Sequence, residues 1–303
     1  MKTSNQKDNL FSKYKFHPSS IGLLMTNLNT ITEKQLQELE KLEKRVVSGP
    51  PLTDKMAVDL QALRAKADNQ VTALSDLPKG AISKLDEIYW EVVWKRTQII
   101  DTKYMEKGSI MEQDSLDMLS RVDNFFYHKN DKYHSNELLT GCPDTFTETK
   151  VIDTKSPWDY LTFEKAEMTK LYEWQIKGYC WILGKWDGEL VYCLVNAPGS
   201  MVTKAIEKKW YYYNQPDQNN DWWIGVVQQI ERNMIYDFRK FRKDNPGADL
   251  ETKVDDFTVP EEMRIKRFDV ALTDWDINVM KIRLRVCRDY LMDRYDREFV
   301  SSD

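Results

Sequence analysis

Cysteine and histidine are scarce in this chain, four and three among 303 residues. Cys142, Cys180, Cys193 and Cys287 stand far apart with no CxxC spacing, which fits neither a disulfide framework nor a thiolate zinc site. His17, His128 and His134 form no HxH or HExxH pattern, so a zinc hydrolase is excluded as well. A GxxxxGKS/T loop is also missing, which removes a nucleotide-driven motor. No apolar run reaches the roughly eighteen residues of a membrane span, and the polar start MKTSNQKDN lacks the core of a signal peptide. The expectation is a cytoplasmic protein. Charge of one sign is not in excess either: 44 basic against 49 acidic side chains leave −5, so any polyanion site must be a local patch. What is present is a 41% hydrophobic content, enough to bury a core in one large domain or two small ones.

The first hundred residues carry helical periodicity. Leu36, Leu39, Leu42 and Val46 step by three or four until Ser48-Gly49-Pro50-Pro51 interrupts them. Thr53 then caps a second stripe of Met56, Leu60, Leu63 and Ala67, so residues 33 to 69 predict an antiparallel helical hairpin. A third helix starts near Pro78 and carries Ile82, Leu85, Ile88 and Tyr89 towards Ile99 and Ile100. Ahead of them, Phe16-His17-Pro18-Ser19-Ser20 predicts a loop entering a short helix through a serine cap.

After Gly108 the rhythm changes. A helix bearing Glu112 runs to about Val122, and Phe125-Phe126-Tyr127 before Lys129-Asn130-Asp131-Lys132 predicts a hairpin. Pro143-Asp144 follows a turn, and a strand from Thr149 to Lys155 places Val151, Asp153 and Lys155 on one face. A carboxylate and an ammonium beside apolar Val151 and Ile152 are costly to bury without a purpose. Further on, Gln175 and Tyr179 are four apart on one helical face, where an amide and a phenol can meet a phosphate or a metal-bound water. Each feature also has a plain structural reading: an Asp153–Lys155 ion pair, Glu112 on a solvated face, Gln175 and Tyr179 on ordinary helix surface. It is their order that favours chemistry.

In that order the sequence resembles the PD-(D/E)XK nuclease superfamily, in the branch of RecB-type nuclease domains and phage lambda exonuclease, often called YqaJ-like. The resemblance covers roughly residues 105 to 200. It assigns Glu112 to the helix-borne acidic motif, Asp144 and Asp153-Thr154-Lys155 to the strand motifs, and Gln175 to Tyr179 to the QxxxY motif. On the same helix as Glu112, Glu106, Asp114 and Asp117 are close enough to exchange places with it. The implied fold is α/β: a central mixed sheet from segments near 125–130, 133–140, 145–155 and 189–197, flanked by the Glu112 and Gln175 helices. Residues 1–104 then form a helical N-terminal region, 105–215 the nuclease core, and 216–303 C-terminal helices and a strand packed on it.

Phosphodiester hydrolysis requires an activated water and neutralisation of charge at phosphorus. Glu112, Asp144 and Asp153, with the Thr154 carbonyl, form a hard oxygen set suited to Mg²⁺ or Mn²⁺. Lys155 would orient or help deprotonate the water, and Gln175 would position it or the phosphate. Lys107, Lys177, Trp158 and Tyr179 are the expected DNA contacts, the lysines as part of a basic track and Trp158 by stacking. The implied activity is digestion of double-stranded DNA from free ends, with a single-strand annealing protein as possible partner and a ring-shaped homotrimer by resemblance. An endonuclease or resolvase on the same fold, and a DNA-binding protein with a degenerate site, are the competing readings.

Overall fold

The computed structural model describes residues 9–26, 28, 30–97, 102–252 and 258–299. Ile99 and Ile100 lie outside them. The chain enters through α1 (Pro18–Leu24), whose first turn is opened by Pro18 with His17 as an N-cap that makes no side-chain bond, not by a serine. The expected hairpin follows as α2 (Glu33–Ser48) and α3 (Asp54–Asp68). Thr32 and Gln35 cap α2 reciprocally: the Thr32 hydroxyl accepts from the Gln35 amide, and the Gln35 side chain accepts from the Thr32 amide. Thr53 caps α3 with a single bond, its hydroxyl accepting from the Met56 amide. Then come α4 (Gln70–Ser75), α5 (Lys79–Trp94) and the long α6 (Lys103–Asp123).

The middle of the chain is built from β1 (His134–Ser135), β2 (Thr140–Gly141), β3 (Thr145–Phe146), β4 (Lys150–Lys155), α7 (Tyr160–Glu164), α8 (Lys170–Leu183) and β5 (Asp187–Cys193). It closes with α9 (Gly199–Tyr212), α10 (Asp221–Met234), α11 (Phe238–Asp244), a 3-10 turn at Glu261–Arg264, β6 (Ile265–Ala271) and α12 (Asp274–Phe299). The central sheet is mixed, in the order β3-β4-β5-β6: β4 and β5 run parallel, and β3 and β6 flank them antiparallel. Residues 151 to 154 and 188 to 191 are buried in the two inner strands, as a sheet covered on both faces requires.

Two expected strands are absent from that sheet. Residues 125–130 form no strand; the Asn130 amide bonds the Asp144 carbonyl and the Thr145 hydroxyl bonds the His128 carbonyl, so this segment is tied to the edge by single contacts. Residues 133–140 supply only β1 and β2, which pair with each other in a separate two-stranded sheet. Their place is taken by β6, whose Ile265 to Ala271 register with Cys193 to Asp187. Lys266, Arg267 and Asp269 interrupt its apolar pattern, the composition of an edge strand.

The main core draws on the whole length of the chain: Phe11, Leu85, Val151, Ile176, Leu190 and Leu284 belong to one buried cluster. No helix among the described residues is long and apolar enough to cross a membrane. Helix α8 lies directly on β5, because Gly188 has no side chain. A Cβ there would stand 2.3 Å from Ile176 Cγ2 and 3.0 Å from Cys180 Sγ. Gly188→Ala is therefore expected to cost about 1–3 kcal/mol by overpacking, read from urea unfolding; an unchanged midpoint would contradict this close approach.

Candidate active site

The site is assembled on the end of β4. Antiparallel pairing of Thr145 with Ile152 brings Asp144, one residue earlier, across from Asp153. Asp144 Oδ2 accepts from the Thr154 amide at 2.7 Å and from the Thr154 hydroxyl at 2.9 Å. Asp153 is almost wholly buried, at 1% exposure. Its Oδ1 accepts from Gln175 Nε2 at 2.9 Å, and its Oδ2 forms an ion pair with Lys155 Nζ at 2.6 Å. The ammonium also stands 5.2 Å from the centre of the Tyr172 ring.

The electrostatics follow from two carboxylates sharing one close cation. Burial, and then the negative charge of Asp153, push the Asp144 carboxyl up to about 7, against the opposing pull of Lys155 and the Thr154 amide. Burial alone would lower the Lys155 ammonium, but Asp153 and Asp144 reverse this and hold it above the ordinary lysine value. Tyr179 is raised by burial first and by the same two carboxylates next.

A cleft of about 520 Å³ opens over this group, with Glu112, Asp144, Thr154, Lys155, Trp158 and Tyr172 on its walls. Of the acids on α6, Glu112 is the one that lines it; Asp114 instead pairs with Lys240 at 3.1 Å. The Glu112 carboxylate is held by Lys129 at 3.2 Å. As the side chains stand, no three His, Cys, Asp or Glu residues among those described converge closely enough to hold a metal ion.

The structure therefore brings Glu112, Asp144, Thr154 and Lys155 to the wall of one cleft, keeps Asp153 and Gln175 buried and bonded to each other next to Lys155, and leaves Trp158 half-buried in the wall. It does not place the other expected DNA contacts on an accessible track. Lys107 has no exposed surface; its Nζ donates to the carbonyls of Pro157, Trp158 and Val195. Burial pulls this ammonium down to about 7, with Asp159 acting in the opposite direction. Lys177 is buried between Asp276, at 2.7 Å, and Glu173, at 3.0 Å, and ties α8 to α12. Tyr179 belongs to the core, where its ring edge lies close to Gly141. Tyr172 is the functional neighbour that sequence reading missed, although its place three residues before Gln175 puts it on the same helical face.

Because like charges are confined here, Asp144→Asn keeps an acceptor for Thr154 and removes the repulsion. The expected result is a gain of about 1–2 kcal/mol in the stability of the metal-free protein, measured by chemical denaturation in EDTA; a loss would show that the pair is not in conflict.

No family model matches this chain, and no curated protein matches it. Among solved structures, a phage-related exonuclease from Haemophilus somnus 129PT aligns over 96% of this chain and 99% of its own, with a TM-score of 0.56 and 17% identity. An alkaline exonuclease from Laribacter hongkongensis aligns over 77% of this chain and 91% of its own, with a TM-score of 0.48 and 10% identity. The first of these likenesses is one of fold: this chain is built on the same mixed α/β architecture as that phage-related exonuclease.

Proposed function

We propose that this protein is a divalent-metal-dependent deoxyribonuclease that digests duplex DNA from its ends. The observation that carries the reading is the Asp144, Asp153, Lys155 and Gln175 constellation, in which Asp144 and Lys155 line an open cleft and buried Asp153 joins Lys155 to Gln175. Support for end digestion comes from the fold shared with a phage-related exonuclease.

The residues fit a hard cation. Their donors are oxygens only, and two carboxylates stand side by side with a single close ammonium to offset them, so burial and Asp153 together push Asp144 towards its neutral form until a cation is supplied. Asp144, Asp153 and the Thr154 carbonyl would hold Mg²⁺ or Mn²⁺, with Glu112 as the further carboxylate at the cleft. Bound there, the ion supplies acidification of a water and neutralisation of phosphate charge. The protein supplies position. Gln175 fixes the plane of the Asp153 carboxylate through its amide nitrogen. Lys155, kept protonated by its carboxylate neighbours, donates to the attacking water or a phosphate oxygen and does not begin as a base. Tyr172 supports the ammonium from its ring face.

The test is digestion of a linear duplex and of a covalently closed circle of the same sequence, in Mg²⁺ and in EDTA. Loss of the linear DNA alone, and only with Mg²⁺, is the expected outcome; cleavage of the circle would make the protein an endonuclease. Lys155→Ala is expected to lower kcat by about 10²–10⁴-fold while DNA retention changes far less. Full turnover in a folded Lys155→Ala protein would overturn the site assignment.

A further inference from the structure

We propose that Lys107 is a positioning residue: its ammonium holds the turn of Ser156, Pro157 and Trp158 in place and so sets one wall of the DNA-receiving cleft. What the wall is for rests on the nuclease reading; that Lys107 sets it does not. Lys107 Nζ donates to the carbonyl oxygens of Pro157 at 2.6 Å, Trp158 at 3.1 Å and Val195 at 3.2 Å. Three acceptors match the three N–H bonds of an ammonium. Pro157 and Trp158 lie just beyond the end of β4, and Val195 just beyond the end of β5. One side chain from α6 therefore joins the two chain segments that leave the paired central strands.

The same helix grips this turn at other levels. Lys103 Nζ lies 4.4 Å from the centre of the Trp158 ring, Tyr104 meets that ring edge-on at 5.8 Å, and Ser115 shares a 2.9 Å hydrogen bond with Ser156. Tyr104, Gly108 and Glu112 of α6 line the same cleft as Ser156, Pro157 and Trp158 of the turn. The helix and the turn thus both contribute to the wall of the opening, and Lys107 fixes one to the other from within. Lys155 does not depend on this arrangement, because it is registered against Tyr192 and paired with Asp153. Loosening the turn therefore affects how substrate is received more than how it is cut.

The experiment is fluorine NMR on fluorotryptophan-labelled protein, with the Trp158 resonance assigned by its loss in Trp158→Phe, together with kcat and KM on linear duplex. In Lys107→Met the Trp158 resonance is expected to move alone, KM to rise about tenfold or more, and kcat to stay within about threefold. Lys107→Arg, which restores donors to the carbonyls, is expected to recover much of the KM. A Trp158 resonance that stays in place in folded Lys107→Met, or a fall in active fraction at constant KM, overturns the proposal. Should Lys107→Met not fold, Lys107→Gln is read in the same way; if neither folds, Lys107 is structural only and the proposal fails. A displaced Trp158 in protein that cuts no DNA even as wild type sinks the nuclease reading and upholds the assignment of the turn.

Discussion

Two carboxylates held beside a single ammonium at the end of β4 are the constraint on which the surrounding structure depends. Asp153 is enclosed by the sheet and by α8, where full ionisation without partners would be prohibitive. Its neighbours answer that cost in kind: the Gln175 amide on one oxygen, Lys155 on the other, and two Thr154 donors on Asp144. The apolar surroundings that make the site expensive also keep it rigid. Val151 and Leu190 belong to the main core, and Ile152 and Val191 to a second cluster on the side of α6. A group of charges fixed in this way needs little reorganisation when a charged reactant arrives.

The sequence was most legible where local rules suffice. The hairpin helices were visible in their leucine spacing and capping threonines, and β4 in its apolar approach to Asp153 and Lys155. Adjacent motif residues such as Asp153 and Lys155 met because a strand's period brings them to one face. Gln175 joined them through parallel pairing of β4 with β5 and the packing of α8 on both. The strand content of residues 125–140 was overestimated because aromatic runs resemble strands whether they pair or only pack, as Phe125 and Tyr127 do with ring centres 4.9 Å apart. The C-terminal strand was expected only somewhere within residues 216–303, because Lys266, Arg267 and Asp269 blur the alternation of β6 and hide its place beside β5.

The lysines mark a different limit. Read from composition, Lys107, Lys177 and Lys240 all resemble surface cations. Lys107 and Lys177 find their main partners far along the chain, at Pro157 and Val195 and at Asp276, and Lys240 is shared between nearby Asp244, at 2.6 Å, and distant Asp114, at 3.1 Å. Nothing local in the sequence announces the distant pairings, since they exist only once the sheet has brought distant segments together. A cation count therefore overstates the surface available for phosphate binding and understates how much positive charge the interior uses as structure.

The hairpin of α2 and α3 carries a small core of its own, in which Ile31, Leu39, Leu42 and Leu60 are buried with one another and apart from the main cluster. Such a unit has its own stability. It can open and reclose as a local cooperative event, at a free energy below that of global unfolding, while the sheet and cleft stay intact. The molecule is thus organised into two levels of order, a tightly coupled body around the sheet and cleft and an appendage whose amides are expected to exchange with solvent on a schedule of their own.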